Sequence, residues 1–275
     1  MILNGKKVRD EYLEKAKEKI QKENIKATLA VIQIGNNEAS NIYIKNKEKY
    51  CSYVGIGFKL FKYSEKVEEQ EIVNLVQKLN NDESITGILI QSPVPNHINF
   101  DYVSGLIKSS KDVDGFTKDN IYNLYLGKDT LMPCTVKGII KLLEYYDIPV
   151  GGKDILIIGR GNIVGHPLSL ALLNKDATVT VAHSKTKDLK EKCLKADIII
   201  SATGINNLIT SDMVNNNLAI IDVGITRVNG KIKGDVDYEN VQNKCQNITP
   251  NPGGVGPMTI AMLIDNVLTA YERRK

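Results

Sequence analysis

A glycine-spaced turn in the second half of the chain has the clearest chemical meaning. Residues 155–165 read ILIIGRGNIVG, so an apolar strand leads into Gly159, Gly161 and Gly165 and then into a helix. Gly159 permits a sharp turn, Gly161 lets a pyrophosphate approach bare backbone, and Gly165 lets the helix pack closely on its strand. The spacing is one residue longer than the common dinucleotide fingerprint. The pattern predicts a bound dinucleotide, and the alternative from these residues alone is a purely structural turn.

The residues after the next strand favour NADP over NAD. In NAD-binding domains this strand ends in a carboxylate that grips the adenosine ribose. Here the strand at residues 177–182 is followed by His183, Ser184 and Thr186, with lysines between and after them and no carboxylate. Together with Arg160 these donors suit a 2′-phosphate. A solvated basic loop is the alternative.

A tyrosine and a lysine in the first half are spaced for joint chemistry. Tyr43 and Lys47 lie four residues apart on a predicted helix, so both side chains leave the same face. Partial burial would lower the pKa of the lysine and let it orient water or move a proton. Short-chain dehydrogenases also use Y-x-x-x-K, but there it follows the glycine turn, whereas here it precedes the turn by more than a hundred residues. An amphipathic helix with a solvated lysine is the alternative.

Two further polar residues end or follow a predicted strand. Gln91 closes the apolar run GILIQ, and Asp114 lies in the loop KDVDGF. Parallel sheets bind ligands at the carboxyl ends of their strands, where both residues are expected. A carboxylate there suits a flat heterocycle with adjacent N–H donors. A loop glutamine and an ordinary Asx-Gly turn are the alternatives.

Composition limits the class of protein. The 275 residues carry a net charge of +4, spread along amphipathic helices, which argues for anionic small ligands and against nucleic acid. The four cysteines have no CxxC spacing and the three histidines no metal-ligand pattern, so we expect no metal site and a reducing cytoplasmic location. The sequence shows neither a signal peptide nor a membrane-spanning run.

Hydrophobic periodicity predicts a two-domain α/β protein with parallel sheets. In the first half, helices are predicted at residues 8–23, 38–54, 68–82, 100–108 and 133–146, with strands at 27–35, 58–64 and 87–95. In the second half, strands are predicted at 154–159, 177–182, 197–204 and 218–225, with helices at 163–174, at 187–194, near Asp212 and at 259–271.

These elements also suggest the domain boundaries and an interface. Residues 1–134 and 256–275 are predicted to form a substrate-binding and catalytic domain, with the C-terminal helix packing back on it, and residues 135–255 a Rossmann-type domain. Asn229-Gly230 between alternating apolar residues predicts a β-hairpin at a sheet edge. We expect this hairpin to mediate a homodimer.

Nine motifs occur in one order over nearly the whole chain: Tyr43-x-x-x-Lys47, GILIQSPVP, KDVDGF, PCTVKG, GRGNIVG, HSKT, SATG, IDVGI and PGGVGPMT. In this order they resemble the bifunctional methylenetetrahydrofolate dehydrogenase/methenyltetrahydrofolate cyclohydrolase family. The resemblance implies NADP-dependent oxidation of 5,10-methylenetetrahydrofolate to the methenyl cation, followed by hydrolysis to 10-formyltetrahydrofolate in the same cleft.

The resemblance also implies roles for individual residues. Lys47 would orient or deprotonate the attacking water, Gln91 would hold the lysine, Tyr43 would stack on the folate, and Asp114 would bind the pterin edge. The implied cofactor-binding residues are Gly159, Arg160, Gly161, Ile163, Gly165, His183, Ser184, Thr186, Thr203, Gly204 and Ile225. The implied substrate-binding residues, besides Tyr43 and Asp114, are Pro252, Gly253, Gly254 and Pro257.

Three positions depart from the family pattern. Gly161 replaces a serine whose hydroxyl would help to bind the cofactor phosphates. Val136 and Asn251 replace a proline and a valine in loops between the predicted domains, so altered loop stiffness or folate affinity is expected there.

Two other functions compete with this interpretation. A reductase similar to shikimate dehydrogenase also places a substrate domain before a Rossmann domain. A nucleotide-binding sensor on the same fold would bind NADP without turnover, but the joint presence of Lys47, Gln91 and Asp114 argues against it.

Overall fold

The computed structural model describes residues 1–274, apart from the side chain at position 39. Its helices are α1 (Gly5–Glu23), α2 (Glu38–Val54), α3 (Glu69–Asn81), α4 (Phe100–Gly105), α5 (Lys118–Tyr125), α6 (Cys134–Tyr145), α7 (Gly165–Leu173), α8 (Leu189–Lys195), α9 (Tyr238–Val241) and α10 (Val255–Glu272). Its strands are β1 (Thr28–Ile34), β2 (Gly57–Tyr63), β3 (Gly87–Gln91), β4 (Asp154–Ile158), β5 (Thr178–Ala182), β6 (Ile198–Ser201), β7 (Ala219–Asp222), β8 (Thr226–Val228), β9 (Lys231–Lys233) and β10 (Asn247–Ile248).

The chain forms two compact units. The first unit contains Asp10–Cys134 and the C-terminal residues from Ile260, and the second contains Met1–Arg9 and Thr135–Thr259. Residues 1–9 therefore group with the second unit, whereas the sequence analysis assigned them to the first domain. Ile2 explains this placement, because it forms a parallel bridge with Ile248 of β10.

The first unit is built on a three-stranded parallel sheet in the order β2-β1-β3. The central strand β1 is buried from Leu29 to Ile34, as expected for a strand covered on both faces. Its last residues place Gln33 beside Gln91 in the parallel register. The apolar face of α3, which includes Ile72 and Val76, packs in the core with Ile88 and Ile90 of β3.

The second unit is built on a five-stranded parallel sheet in the order β10-β7-β6-β4-β5. Ile158, Ser201 and Asp222 are register partners across β4, β6 and β7, so the carboxyl ends of these strands meet at one edge. The core includes Leu156, Ile199 and Ile220. The predicted α/β class with parallel sheets is confirmed.

Local chemistry defines both ends of α2, the helix that carries the predicted catalytic lysine. The side chain of Asn37 accepts a hydrogen bond from Ser40 N in the first turn. At the other end Gly55 has a φ of 93°, a left-handed conformation that glycine adopts without strain. The predicted bounds of this helix, residues 38–54, agree with the structure.

Some predicted elements differ from the structure. Residues near Asp212 form a turn rather than a helix, because Thr210 donates its hydroxyl to Asp212 at 2.6 Å and Met213 N donates to Thr210 O at 3.0 Å. Helix α7 begins at Gly165, after a turn that contains Ile163. The sequence analysis missed α5, α9 and β10, which have eight, four and two residues.

The predicted hairpin forms, but not at a sheet edge. Strands β8 and β9 pair antiparallel around Asn229 and Gly230, which have φ values of 50° and 76° as a type I′ turn requires. They form a separate two-stranded sheet rather than an extension of the five-stranded one.

None of the helices in the described part of the chain combines the length and apolarity needed to cross a membrane. Within residues 1–274, no group of three or more histidine, cysteine, aspartate or glutamate side chains is arranged to hold a metal ion.

The C-terminal helix α10 is held in the first unit by a buried amide. Asn266 is fully buried, and its Nδ2 donates to Val113 O and to Met132 O, both at 2.9 Å. These carbonyls flank the predicted site residue Asp114 and the start of α6. The contact agrees with the prediction that the C-terminal helix packs on the first domain.

We expect Asn266→Ala to lower the free energy of unfolding by about 2 kcal/mol, because it removes two buried hydrogen bonds to backbone carbonyls. Urea denaturation of the variant and the wild type measures this. The exposed Asn216→Ala is the control and is expected to change stability by less than about 0.5 kcal/mol. Equal unfolding midpoints for Asn266→Ala and the wild type would contradict the argument.

Candidate functional site

One face of α2 carries Tyr43, Lys47 and Cys51, each a helical turn from the next. Tyr43 is 46% exposed, Lys47 is half-buried, and Cys51 is completely buried. The side chains therefore pass from solvent into the core along the helix. Tyr43 is accessible to a ligand, while Lys47 lies where the protein begins to exclude water.

The amide of Gln91 holds Lys47. The Lys47 ammonium donates to Gln91 Oε1 at 2.8 Å, and Gln91 Nε2 donates to Ser92 O at 2.8 Å. Ser40 of α2 donates its hydroxyl to the same Ser92 carbonyl at 3.2 Å. Because both ends of the Gln91 amide are engaged, its oxygen faces the lysine. Gln91 is the last residue of β3, as the sequence analysis predicted.

Burial dominates the electrostatics of Lys47. Loss of water around the ammonium lowers the pKa of Lys47, and the Asp114 carboxylate is the largest influence that opposes this shift. Burial also raises the pKa of Cys51 to about 12, so this thiol is neutral and contributes low polarity rather than charge.

Asp114 lies in a loop that a second carboxylate organises. The buried Asp112 accepts hydrogen bonds from Gly115 N at 2.9 Å, Thr117 N at 2.7 Å and Asn120 Nδ2 at 3.0 Å. Asp112 also forms a parallel bridge with Ile88 of β3. The sequence analysis missed Asp112. The signal was the second carboxylate of the same D-V-D motif.

The pKa of Asp114 is raised, chiefly by burial. The Lys47 ammonium acts in the opposite direction, the Asp112 carboxylate raises the pKa further, and a hydrogen bond with Cys134 lowers it. Lys47 and Asp114 are thus mutually coupled groups in a poorly solvated environment. Such an arrangement of shifted pKa values is typical of sites that handle protons.

The glycine turn in the second unit has the shape of an anion cradle. Gly159 has a φ of 113°, and a Cβ there would overlap Ala202 O; a Cβ on Gly165 would overlap Gly159 O. A Cβ on Gly161 would meet open space. The turn therefore exposes bare backbone ahead of α7, which fits a dinucleotide phosphate. Arg160 and Ile163 are exposed there.

The residues after β5 form a closed local turn. His183 N donates to Thr186 Oγ1 at 2.8 Å, and Thr186 N donates to His183 O at 2.8 Å. Lys185 N donates to His183 Nδ1 at 3.2 Å, so that nitrogen acts as an acceptor. The side chain of Ser184 is exposed. Recognition of a 2′-phosphate at this turn stays a prediction.

Three more predicted cofactor residues follow neighbouring strands. Thr203 and Gly204 come after β6, and Gly204 has a φ of 72°. Ile225 comes after β7 and is 53% exposed. Thr203 is not free, since it donates both its N–H and its hydroxyl to Asp235, which the sequence analysis missed.

The predicted substrate loop precedes and enters α10. Gly253 has a φ of 119°, and its carbonyl accepts a hydrogen bond from Lys6 N at 3.2 Å. A Cβ on Gly254 would lie 2.6 Å from Thr249 Cβ, so no side chain fits there. Pro252 precedes these glycines, and Pro257 lies in the first turn of α10, where its missing N–H costs nothing. Their contact with a substrate stays a prediction.

The chain matches known proteins over its whole length. Residues 3–114 match the family described as "Tetrahydrofolate dehydrogenase/cyclohydrolase, catalytic domain", and residues 133–275 match its "NAD(P)-binding domain". The bifunctional protein FolD of Agathobacter rectalis is 46% identical over 276 aligned positions, and the alignment covers 99% of each protein.

Solved structures agree with these sequence matches. The crystal structure of the bifunctional enzyme FolD from Campylobacter jejuni has 46% identity and a TM-score of 0.97, covering 100% of this chain and 99% of that one. The Trypanosoma brucei methylenetetrahydrofolate dehydrogenase-cyclohydrolase, complexed with NADP cofactor and inhibitor, has 30% identity and a TM-score of 0.94, covering 100% and 98%.

A likeness to the competing enzyme class is limited to the fold. Shikimate dehydrogenase from Aquifex aeolicus has 14% identity and a TM-score of 0.54, covering 90% of this chain and 97% of that one. This match shows a shared architecture and nothing about the reaction.

We expect Gly161→Ser to fold like the wild type and to bind NADPH about fivefold more tightly, because the new hydroxyl meets open space and can donate to a phosphate. Titration of NADPH fluorescence measures the dissociation constant. Gly165→Ser is the matched comparison, since its side chain would overlap Gly159 O and should weaken binding. Unchanged or weaker binding by Gly161→Ser would contradict a phosphate at this position.

Proposed function

Because the chain belongs to the tetrahydrofolate dehydrogenase/cyclohydrolase family, we propose that Tyr43, Lys47, Gln91 and Asp114 are its folate-binding and catalytic residues. The protein is a bifunctional enzyme that oxidises 5,10-methylenetetrahydrofolate with NADP and hydrolyses the methenyl product to 10-formyltetrahydrofolate. The observation that carries the residue assignment is the 2.8 Å hydrogen bond between a desolvated lysine and a glutamine amide that is bonded through both its oxygen and its nitrogen.

The oxidation needs positioning more than acid or base chemistry. The reacting carbon lies between two nitrogens, so loss of hydride leaves a cation stabilised like an amidinium. NADP, when bound, supplies the hydride acceptor. The protein's own contribution is to hold the folate in the correct orientation and to exclude water. Tyr43, exposed one turn before Lys47, is placed to stack on the folate.

The hydrolysis needs a water positioned at the cationic carbon. Its lowered pKa gives Lys47 a larger fraction of free amine than a solvated lysine has. When neutral, the amine still donates one N–H to Gln91 Oε1 and keeps its lone pair for the water. The water oxygen then bonds to the methenyl carbon while its proton passes to Lys47 Nζ and the π electrons of the C–N double bond return to nitrogen. The bond between this carbon and N5 then breaks, N5 takes up a proton, and the adduct hydroxyl loses its proton to give the 10-formyl product.

Asp114 has two consequences in this proposal. Its carboxylate is poorly solvated, so it gains from a ligand that offers adjacent N–H donors, as the pterin edge does. Its charge also limits how far burial can lower the pKa of Lys47. Asp114 therefore binds the substrate and adjusts the base.

In this proposal the second unit provides the surface that binds the cofactor and the surface that forms the dimer. We assign the cofactor to the predicted residues Gly159, Arg160, Gly161, Ile163, Gly165, His183, Ser184, Thr186, Thr203, Gly204 and Ile225. The loop with Pro252, Gly253, Gly254 and Pro257 is proposed to contact substrate. Residues 1–134 with 256–275 and residues 135–255 remain the proposed functional domains.

The hairpin is proposed as the homodimer contact. Strands β8 and β9 pair with each other and, within residues 1–274, with no third strand, while β9 is exposed throughout. An unpaired strand edge can pair with a second copy. The reduced cysteines, three of them buried, support a cytoplasmic location.

The decisive experiment supplies methylenetetrahydrofolate with NADP or NAD and follows absorbance of the methenyl product. Lys47→Met is expected to lower the rate of methenyl hydrolysis at least about a hundredfold, because the base is removed. NADPH binding, measured by fluorescence, should stay within twofold, because the assigned cofactor residues all lie in the second unit. Hydrolysis by Lys47→Met at the wild-type rate would refute the lysine role.

The same assay separates the competing functions. A protein that reduces shikimate-type ketones but leaves methylenetetrahydrofolate unchanged would belong to the other enzyme class. NADPH binding without turnover of either substrate would indicate a sensor.

The pH dependence of hydrolysis provides a further prediction. Since the free amine of Lys47 is the active form, kcat should rise with pH and level off below 10.5, the usual pKa of a lysine. The Asp114 charge raises the pKa of Lys47. Asp114→Asn should therefore move the rise of kcat to lower pH, while it raises KM for the folate.

Glu48→Gln is the control for this shift, because Glu48 is an exposed carboxylate next to Lys47 on α2. The kcat of Glu48→Gln is expected to rise over the same pH range as that of the wild type. A rise of kcat at the same pH as in the wild type, or at a higher pH, in Asp114→Asn would contradict the electrostatic argument.

A further inference from the structure

Two buried carboxylates that no predicted role uses lie at the base of the hairpin. Asp222 ends β7, and Asp235 follows β9, with 3% and 0% exposure. They come close to the end of β6, because Ser201 and Asp222 are register partners. The proposed cofactor residues Thr203 and Gly204 leave from that strand end.

Asp235 holds the end of β6 through one oxygen. Its Oδ2 accepts hydrogen bonds from Ser201 Oγ at 2.7 Å, Thr203 N at 2.7 Å and Thr203 Oγ1 at 2.8 Å. The Thr203 hydroxyl in turn accepts from Ile205 N at 3.2 Å. Both the backbone and the side chain of Thr203 are thereby oriented by a single carboxylate 32 residues away.

The backbone around Asp235 holds the other end of the same loop. We call residues 202–209 the β6 loop. Ile209 N donates to Asp235 O at 3.0 Å, and Asp237 N donates to Ile209 O at 2.9 Å. The β6 loop is therefore fixed at its start by the Asp235 carboxylate and at its end by the neighbouring backbone.

Asp222 fixes the segment that carries Asp235. Its carboxylate accepts hydrogen bonds from Gly224 N at 3.1 Å, Asp235 N at 3.0 Å and Val236 N at 3.2 Å. Burial, followed by the nearby Asp235 charge, raises the pKa of Asp222 to about 6 against these bonds. The carboxylates are thus held close enough to influence each other.

Glycines make room for both groups. A Cβ on Gly224 would overlap Asp235 Oδ1, and a Cβ on Gly234 would overlap Asp222 Oδ2. Asp235 Oδ1 is buried and has no hydrogen-bond partner among the described residues. Burying such a group costs stability. A role in placing the β6 loop accounts for this cost.

We propose that Asp235 is a positioning residue for the nicotinamide dinucleotide: it acts through Thr203 and the adjoining Gly204 and sets cofactor affinity without touching the cofactor. The proposal rests on the assignment of the β6 loop to the cofactor site made above. It adds to that assignment the side chain of Asp235, which follows the second strand of the hairpin.

The test compares NADPH affinity among three variants and the wild type by fluorescence titration. Asp235→Ala is expected to weaken binding about tenfold, since Thr203 loses both of its bonds to the carboxylate. Asp235→Asn keeps an acceptor oxygen and is expected to stay within threefold. Ser201→Ala is the matched control, because it removes a bond to the same oxygen and leaves Thr203 held; its affinity is expected within twofold.

A double-mutant cycle tests the route through Thr203. Thr203→Val is expected to weaken binding about fivefold, and Thr203→Val combined with Asp235→Ala no more than about tenfold. Independent, multiplicative effects would overturn the proposal. So would an Asp235→Ala affinity within twofold of wild type, or equal losses in Ser201→Ala.

Methenyl hydrolysis without NADP(H) separates positioning from general damage to the fold. This rate is expected within twofold of wild type in Asp235→Ala, because Lys47 lies in the first unit, and a parallel loss of hydrolysis and NADPH binding would overturn the proposal. A wild-type protein that binds NADPH but turns over no folate would refute the proposed function, and the titrations would still decide the role of Asp235.

Discussion

The chemistry of the first unit requires that Lys47 be poorly solvated but not completely buried in the core. Burial disfavours the charged form of Lys47, and the Asp114 carboxylate favours it. Helix α2 must therefore hold the lysine at one depth, and its ends are fixed by the Asn37 cap and the left-handed Gly55. The parallel pairing of β1 with β3 places Gln91 beside Gln33 at the carboxyl end of the sheet, and Gln91 Oε1 accepts a hydrogen bond from Lys47 there. The helix and the sheet edge together set the balance of the two charges.

In both units, buried carboxylates accept hydrogen bonds from backbone N–H groups near the proposed sites. Loops that leave the carboxyl ends of parallel strands carry backbone N–H groups that the sheet does not satisfy. In the first unit Asp112 accepts two such N–H groups around Asp114. In the second unit Asp222 accepts three, and Asp235 accepts one more. Each buried carboxylate thereby restricts the conformation of the segment whose N–H groups it accepts.

The sequence predicts elements with strong periodicity and fails where partners are distant in the chain. The bounds of α2 and the Asn229-Gly230 hairpin follow from local signals, namely helical spacing and a turn dipeptide. Nothing local marks Asp235, because its donors lie about thirty residues earlier. Strand β10 has two residues and gains its place only by pairing with β7. Thr210 and Asp212 make side-chain bonds that replace the predicted helix.

The surroundings of Gly161 and Asn251 explain how the structure accommodates these two departures from the family pattern. Gly159 and Gly165 have no room for a side chain, whereas Gly161 does, so only the first two are required by packing. Asn251 stands where valine is common, and its Nδ2 donates to Gly224 O at 2.5 Å. It also lowers the pKa of Asp222. The Asn251 side chain adds a hydrogen bond between the substrate loop and the base of the hairpin. We therefore expect this loop to be stiffer than it would be with valine at this position.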